Sequence, residues 1–326
     1  MPKKQELLPK ILETGANELE IVDFRMYEEL EDGSIYEWAL GVNVAKVKEV
    51  IFTPENVAKT PKSPPEVVGI ARIRDKNVPL LSLARWMKIK PAMDEKYTIV
   101  MEFLREIVGI TIHEAKRIRR LKWNEIKKPP ESMNNKLGGK IVGVIEIENG
   151  QLLLLLDFEG ILDELGMIRV MSVSSINKKK LGIKEDEHFK ILIVDDSSVA
   201  RRIMRKILTE DGHTVYEATN GIEALELLHD WLKNAKEEGK DLSDFVQLII
   251  SDIEMPGMDG LTFTKKVKGN PELAKIPVII NTSLSDQANV SKSKFVGADA
   301  HLVKFDAPDL IKLVHKYALR RNDASS

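Results

Sequence analysis

From about residue 188 onward, short apolar runs alternate with helix-period segments, and this pattern restricts the fold more than anything else in the chain. Lys190–Val194 leads into Asp195-Asp196-Ser197-Ser198, and a segment with Ile203, Ile207 and Leu208 on one face then runs to Gly212. Thr214–Ala218, residues 246–250, residues 277–280 and Ala300–Val303 are four more runs of strand length. A helical segment follows each of them, and the one after Ala218 opens at Asn220-Gly221. Alternating β and α elements with continuous apolar strands predict an α/β doubly wound parallel sheet with helices on both faces.

In such a sheet the loops at the carboxyl ends of the strands build the ligand crevice. Here the first strand ends in Asp195 and Asp196, the third in Asp252, the fourth in Thr282 and the fifth in Lys304. One aspartate in such a place has a plain use as a helix N-cap. Acids, a hydroxyl and an ammonium group gathered at successive strand ends make a chemical set. Two unit charges about 4 Å apart repel by roughly 4 kcal/mol at an effective dielectric of about 20. Three clustered carboxylates therefore take up protons or bind a cation. All-oxygen donors with room for water favour Mg²⁺, or Mn²⁺, over zinc. Asp195, Asp196, Asp252 and the backbone carbonyl of Glu254 are the expected ligands. Asp252 is then placed to attack a phosphoryl group, with charge offset by the metal and by Lys304. The Thr282 hydroxyl and the Ser283 amide are placed to donate to phosphoryl oxygens.

The chain has no G-x-x-x-x-G-K-[ST] and no set of kinase motifs, so the phosphoryl donor is expected to be external and the chain itself not an enzyme with a separate substrate. No G-x-S-x-G is present, and none of the six histidines pairs with another at metal-ligand spacing. His113, His213, His229 and His315 are expected on the surface or in packing.

Asp195-Asp196, the stretch Ser251-Asp252-Ile253-Glu254-Met255-Pro256-Gly257-Met258-Asp259-Gly260, Thr282 and Lys304 closely resemble the response-regulator receiver domain, of flavodoxin-like fold, over residues 188–321. The resemblance implies Mg²⁺-dependent transfer of a phosphoryl group from a histidine kinase's phosphohistidine to Asp252. Two positions depart from the family pattern. Phe305 stands after Lys304 where the family usually has proline, and His301 holds the place of an aromatic switch residue. A cis bond before Phe305 would cost about 2.5–4 kcal/mol, against roughly 0.5–1 before proline. These departures predict an unusual surface around the fifth strand, suited to docking on the N-terminal domain rather than on a diffusible target.

The N-terminal part is β-rich and contains an internal echo. Trp38 to Val50 resembles Glu106 to Ile118, and Val67 to Ile73 resembles Ile141 to Ile147, about 70 residues apart. Each of the latter pair turns into an apolar strand, and the second turn carries Asn149-Gly150, a strong hairpin signal. Two copies of one unit predict two similar small barrels side by side. This doubled unit resembles the CheW-like coupling domain, an all-β pair of five-stranded SH3-like barrels, over about residues 17–168. The resemblance rests on Gly41-Val42 through Val50, Val68 through Arg74, Val78-Pro79-Leu80-Leu81-Ser82-Leu83 and Leu153 through Phe158. It implies contact with chemoreceptor tips and the histidine kinase CheA, with Val47, Glu49 and Arg74 as contact residues. The turn reads Arg72-Ile73-Arg74-Asp75 where the family has Asn-Leu-Arg-Gly, so only Arg74 carries over.

Such a domain followed by a receiver resembles the CheV-type coupling architecture. It implies a chemotaxis adaptor between receptors and CheA, tuned by phosphorylation of Asp252. A phosphate sink for the kinase, with the N-terminal domain serving for localisation, is the alternative.

The expected organisation is an extension over 1–16, the coupling domain over 17–170, a Ser-, Lys- and Asn-rich linker over 171–187, the receiver over 188–321 and a tail over 322–326. Leu7, Leu8, Ile11 and Leu12 could share a short helix face, but Pro9 interrupts it and a frayed terminus is expected. There is no cysteine, which excludes disulfides and thiolate chemistry. Lys and Arg total 49 against 51 Asp and Glu, so the chain lacks the basic excess of a nucleic-acid binder. The most apolar run, Leu152–Leu156, is far short of the roughly 20 residues a bilayer span needs. A cytoplasmic protein recruited to receptor arrays, monomeric outside them, is expected.

Overall fold

The computed structural model describes residues 18–103, 106–168, 183, 187–282, 296–303 and 307–324; of residues 18, 282, 303 and 319–324 it describes the backbone alone. The stretch around Leu7 to Leu12 and the Lys178-Lys179-Lys180 cluster lie outside the described residues. The chain divides into two compact units, Met1–Ile168 and Arg169–Ser326.

The first unit is all-β with short helices. Its first half contains β1 (Glu18–Glu29), β2 (Ile35–Asn43), β3 (Val47–Phe52), the two-residue β4 (Val57–Ala58), β5 (Val67–Ile73) and β6 (Lys76–Ser82). The second half contains β7 (Tyr97–Phe103), β8 (Glu106–Ile112), β9 (Glu114–Lys122), β10 (Ile141–Glu146) and β11 (Leu152–Leu156). The two copies make two sheets, of order β10-β11-β2-β1-β9 and β3-β7-β8-β6-β5-β4. Each sheet therefore draws strands from both halves of the repeat. The β1–β2 hairpin takes β9, β10 and β11 from the second half, and the β7–β8 hairpin takes β3 to β6 from the first.

The halves meet at four junctions, antiparallel between β1 and β9 and between β3 and β7, and parallel between β11 and β2 and between β6 and β8. Leu155 of β11 lies opposite Gly41 of β2, and Leu80 of β6 lies opposite Gly109 of β8. The two glycines are equivalent positions of the echo, and both are needed for close approach. A Cβ would come within 2.8 Å of a Leu153 methyl at Gly41 and 2.5 Å of a Leu80 methyl at Gly109.

The apolar run Leu152–Leu156 is explained by the same arrangement. Successive strand side chains point to opposite faces. Leu154 and Leu156 join a large core with Phe24, Leu40, Leu81, Ile99 and Ile110. Leu153 and Leu155 fill a smaller one with Ile21, Ala39 and Ile145. The other sheet has its own small core around Ala71, Val78, Leu80 and Val100. The Asn149-Gly150 turn joins β10 to β11 as an antiparallel hairpin, with φ of 61° and 73° at its two residues. The repeat also shows in its helices. Ser82 caps α1 (Leu83–Met87) after β6, and Asp157 caps α3 (Phe158–Glu164) after β11, with α2 (Glu131–Lys136) between them in the chain. Arg119 of β9 locks the borrowed strand to β1, its Nε donating to the fully buried Asp23 at 2.6 Å. The same guanidinium pairs with Glu148 and, by that hydrogen bond first, holds the Glu148 carboxyl down at about 2.

The second unit is a five-stranded parallel sheet of order β13-β12-β14-β15-β16. Its strands are β12 (Lys190–Val194), β13 (Thr214–Ala218), β14 (Leu248–Asp252), β15 (Val278–Thr282) and β16 (Ala300–Val303). The described helices are α4 (Ser198–Glu210), α5 (Gly221–Glu238), α6 (Gly260–Gly269) and α7 (Ala307–Ala324). Ser197, Asn220 and Asp259 cap the first three through side-chain acceptors. β14 and β15 both end two residues later than their apolar runs. Ladder hydrogen bonds ignore side-chain polarity, so Asp252 and Thr282 are the last residues of their strands rather than loop residues.

Candidate functional site: an acidic crevice at the strand ends

The strand order of the second unit reverses at β12, whose neighbours are β13 on one side and β14 on the other. Ligands bind at such switch points, outside the carboxyl ends of the strands. The residues found there are Asp195 and Asp196 after β12, and Asp252 ending β14. One carboxylate oxygen from each lies within 4.8 Å of the others. Asp195 and Asp252 are buried while Asp196 is exposed.

Each buried acid is aimed by its own backbone surroundings. Asp195 Oδ1 accepts from the Ser197 amide at 2.9 Å, the same serine that caps α4. The Asp195 carbonyl accepts from Arg201 Nη1 at 2.6 Å, and the Arg201 Nε donates to Glu217 on β13 at 3.1 Å. Asp252 Oδ1 accepts from the Ile253 amide at 2.8 Å. The loop beyond it is folded back, because the Gly260 amide donates to the Ile253 carbonyl at 2.9 Å. At Gly260 an added Cβ would lie 1.8 Å from the Asp252 carbonyl oxygen, so only glycine lets α6 start against this strand end.

Three carboxylates with all-oxygen character, two buried and one open to solvent, fit a hard divalent cation that keeps several waters. Replacing Asp196, the exposed member, by asparagine is expected to weaken Mg²⁺ binding at least about tenfold, read by titration of the intact chain, because even outer-shell changes cost that much.

Thr282 closes β15, its backbone opposite Val303. Its side chain, Ser283, Lys304 and Phe305 lie outside the described residues. His301 stands on β16 opposite Ile280. Its Nε2 is buried without a hydrogen-bond partner among the described residues, and burial pushes its pKa down, which keeps the ring neutral at physiological pH. At this place the histidine behaves as a packed neutral ring.

In the first unit, Val47 and Glu49 lie on β3 and Arg74 on the β5–β6 turn, with a left-handed φ of 54°. Arg74 Nη2 donates to Glu49 Oε2 at 2.8 Å while its side chain stays 78% exposed. Val47 is partly buried against the large core. The structure thus brings Glu49 and Arg74 together and anchors Val47 as packing.

Of the histidines, His229 is exposed, and His113 is a packing residue, stacked on Tyr27 and accepting its amide at 2.7 Å. His213 and His315 are packing residues too, buried against Phe189 and each other, and they meet at Asp211 in the interior. No spacing signal could have found this pair, because the turn before β13 and α7 contribute one residue each.

A CheW-like domain model matches residues 32–166, and a response regulator receiver domain model matches residues 191–315. Chemotaxis protein CheV3 of Helicobacter pylori is 36% identical over 304 residues, covering 92% of this chain and 94% of that protein. Chemotaxis protein CheV1 of the same organism is 27% identical over 328 residues, with 92% and 94% covered. Among solved structures, the scaffolding protein TtCheW of Thermoanaerobacter tengcongensis aligns with 43% of this chain and 84% of its own, at 19% identity and a TM-score of 0.35. CheY4 of Vibrio cholerae aligns with 40% and 99%, at 30% identity and a TM-score of 0.33.

Fold, site and family models together define a two-domain signalling protein, a CheW-like domain followed by a receiver. With CheV3 matched across nearly the whole of both chains, the chain belongs to the CheV family of chemotaxis proteins.

Proposed function

We propose that this chain is an adaptor coupling chemoreceptors to the histidine kinase CheA, and that phosphoryl transfer to Asp252 tunes the coupling. The observation that carries the reading is the set of three converging carboxylates at the switch point, in one chain with a CheW-like domain. In the transfer step an Asp252 carboxylate oxygen forms a bond to phosphorus as the P–N bond of the phosphohistidine breaks, the electron pair leaving on the imidazole nitrogen. Asp195, Asp196, Asp252 and the Glu254 carbonyl would hold Mg²⁺, with Mn²⁺ as the alternative. When bound, the cation offsets charge on the phosphoryl oxygens. Lys304 is assigned the same task from the other side, and Thr282 a hydrogen bond to a phosphoryl oxygen. The product carries roughly two negative charges where Asp252 had one, a change large enough to rearrange the crevice.

No helix among the described residues is long and apolar enough to cross a membrane. We assign recruitment to membrane-associated receptor arrays to protein contacts through β3 and the β5–β6 turn, where Glu49 and Arg74 meet. Arg74→Ala checks this assignment. An ion pair this exposed contributes little to folding, so the melting temperature is expected to stay unchanged while binding to receptor–kinase complexes weakens. Unchanged binding would remove Arg74 from the interface.

Reconstitution of receptor, CheA and this protein, wild type against Asp252→Asn, tests the whole reading. An adaptor variant locked in its unphosphorylated state still couples the kinase to the receptor, but coupling no longer responds to phosphodonor. If the variant alters only phosphoryl flow and the wild-type chain never changes kinase control, the chain is a phosphate sink.

A further inference from the structure

The amino ends of the parallel strands carry a second convergence of ligating groups, at the other end of the sheet from the aspartates. Asp211 follows α4, His213 immediately precedes β13, His315 lies on α7, and Glu187 stands just ahead of β12. Asp211, His213 and His315 are all buried, at 6%, 4% and 4% exposure. The Nε2 atoms of both histidines lie beside the same Asp211 Oδ2, His213 at 3.0 Å and His315 at 2.9 Å. One ligand atom from each of the three falls within 4.8 Å of the others. Glu187 Oε2 lies 2.9 Å from His315 Nδ1.

We propose that this cluster is a second metal site, built for a borderline transition ion of the Zn²⁺ type. Its ligands are His213 Nε2, His315 Nε2 and the Asp211 carboxylate, with Glu187 orienting His315.

The chemistry of the donors separates it from the aspartate crevice. Two imidazole nitrogens and one carboxylate suit zinc and its neighbours, whereas three carboxylates suit Mg²⁺. Ligand spacing also agrees. Bonds of about 2.0–2.1 Å in a tetrahedral site hold ligand atoms roughly 3.3–3.4 Å apart, so the contacts to Asp211 need to open by only a few tenths of an ångström. Glu187 supplies the outer carboxylate that ligating histidines usually have. By accepting from Nδ1–H it leaves the Nε2 lone pair of His315 for a metal.

His213 gives an independent pointer. Its Nε2 is buried, 3.0 Å from Asp211 Oδ2, yet makes no hydrogen bond among the described residues, because the two are out of line. The Phe189 amide donates to His213 Nδ1 at 3.4 Å, and ligation at Nε2, which moves the ring proton to Nδ1, would give up that long hydrogen bond.

An ion here would tie together α7, the start of β13 and residue 187, where the chain enters the receiver.

Zn²⁺ titration of the tag-free full-length chain, carrying Asp252→Asn to weaken the acidic crevice, tests the site. One Zn²⁺ per chain is expected, with a raised melting temperature. Binding should be lost in His213→Gln and His315→Gln, and weakened about 10–100-fold in Glu187→Gln. Mg²⁺ binding by each histidine variant in the Asp252 wild-type background, together with its circular dichroism, shows that the receiver is still folded. Co²⁺ on the parent chain gives a readout that needs no variant at the cluster, since a tetrahedral N₂O site absorbs intensely in the visible and an octahedral oxygen site weakly. Zn²⁺ binding unchanged by both histidine variants would overturn the proposal, as would a weak octahedral Co²⁺ spectrum. So would a chain that takes up no Zn²⁺. None of these results bears on the phosphoryl acceptor, which phosphoryl labelling tests separately.

Discussion

Asp252→Asn is expected to lose phosphoryl labelling by phosphorylated CheA by at least about a thousandfold, the scale on which removal of a nucleophile is felt. The amide keeps the shape of the side chain, and its oxygen can still accept from the Ile253 amide that now holds Oδ1 at 2.8 Å. The strand end and the fold-back of Gly260 onto Ile253 are therefore expected to persist. What disappears is the anionic oxygen that must form the bond to phosphorus. Measurement by radiolabel transfer, with circular dichroism as the control for folding, separates loss of chemistry from loss of structure. Labelling of the variant at another residue would show that Asp252 is not the acceptor.

The second large effect is expected at a residue with no side chain. Gly260→Ala should destabilise the receiver by about 3–5 kcal/mol, a size reserved for steric faults inside a packed structure. The new Cβ would lie 1.8 Å from the Asp252 carbonyl oxygen and 2.9 Å from Ser251 Oγ. Both are parts of a buried strand end that cannot move aside cheaply. Relief requires the start of α6 to retreat, which breaks the bond from the Gly260 amide to the Ile253 carbonyl and shifts the nucleophile. Mg²⁺ affinity should fall together with the melting temperature. Gly269→Ala, at the far end of the same helix with nothing within 4 Å of an added Cβ, is the control. It should be neutral or stabilise by up to about 1 kcal/mol through helix propensity. Equal melting temperatures for the two variants would show that α6 does not start under steric constraint.

The receiver crevice is legible residue by residue because its information is local. β12 and β14 are built on apolar runs, and the acids that follow those runs are the ones delivered to the crevice. Knowing that the strands are parallel, one knows that Asp195, Asp196 and Asp252 leave the sheet at the same edge. Strand boundaries were less legible. The apolar runs stop two residues early at β14 and β15, since hydrophobicity marks burial while the ladder is made by backbone groups.

The N-terminal unit divides differently. Its alternation, its Asn149-Gly150 turn and the echo between its halves announce two similar β assemblies. They do not say which strands share a sheet. Period-two alternation assigns a residue to a face, but the hydrogen bonds that pair strands are the same whatever the side chains. β11 could close on its own half or on β2 without any change in pattern. The choice is made by fit, where Gly41 and Gly109 leave room for leucine methyls at the two parallel junctions. The cluster of Asp211, His213, His315 and Glu187 follows the same rule. Its members come from three separate pieces of chain, with Asp211 and His213 on one turn, and each reads alone as a cap, a packing ring or the end of a linker. By itself the sequence determined the elements, the faces they bury and the acids at their ends, because those are properties of consecutive residues. Strand exchange between the two halves and the meeting of the two histidines were decided only in three dimensions, by close packing between residues that no local pattern connects.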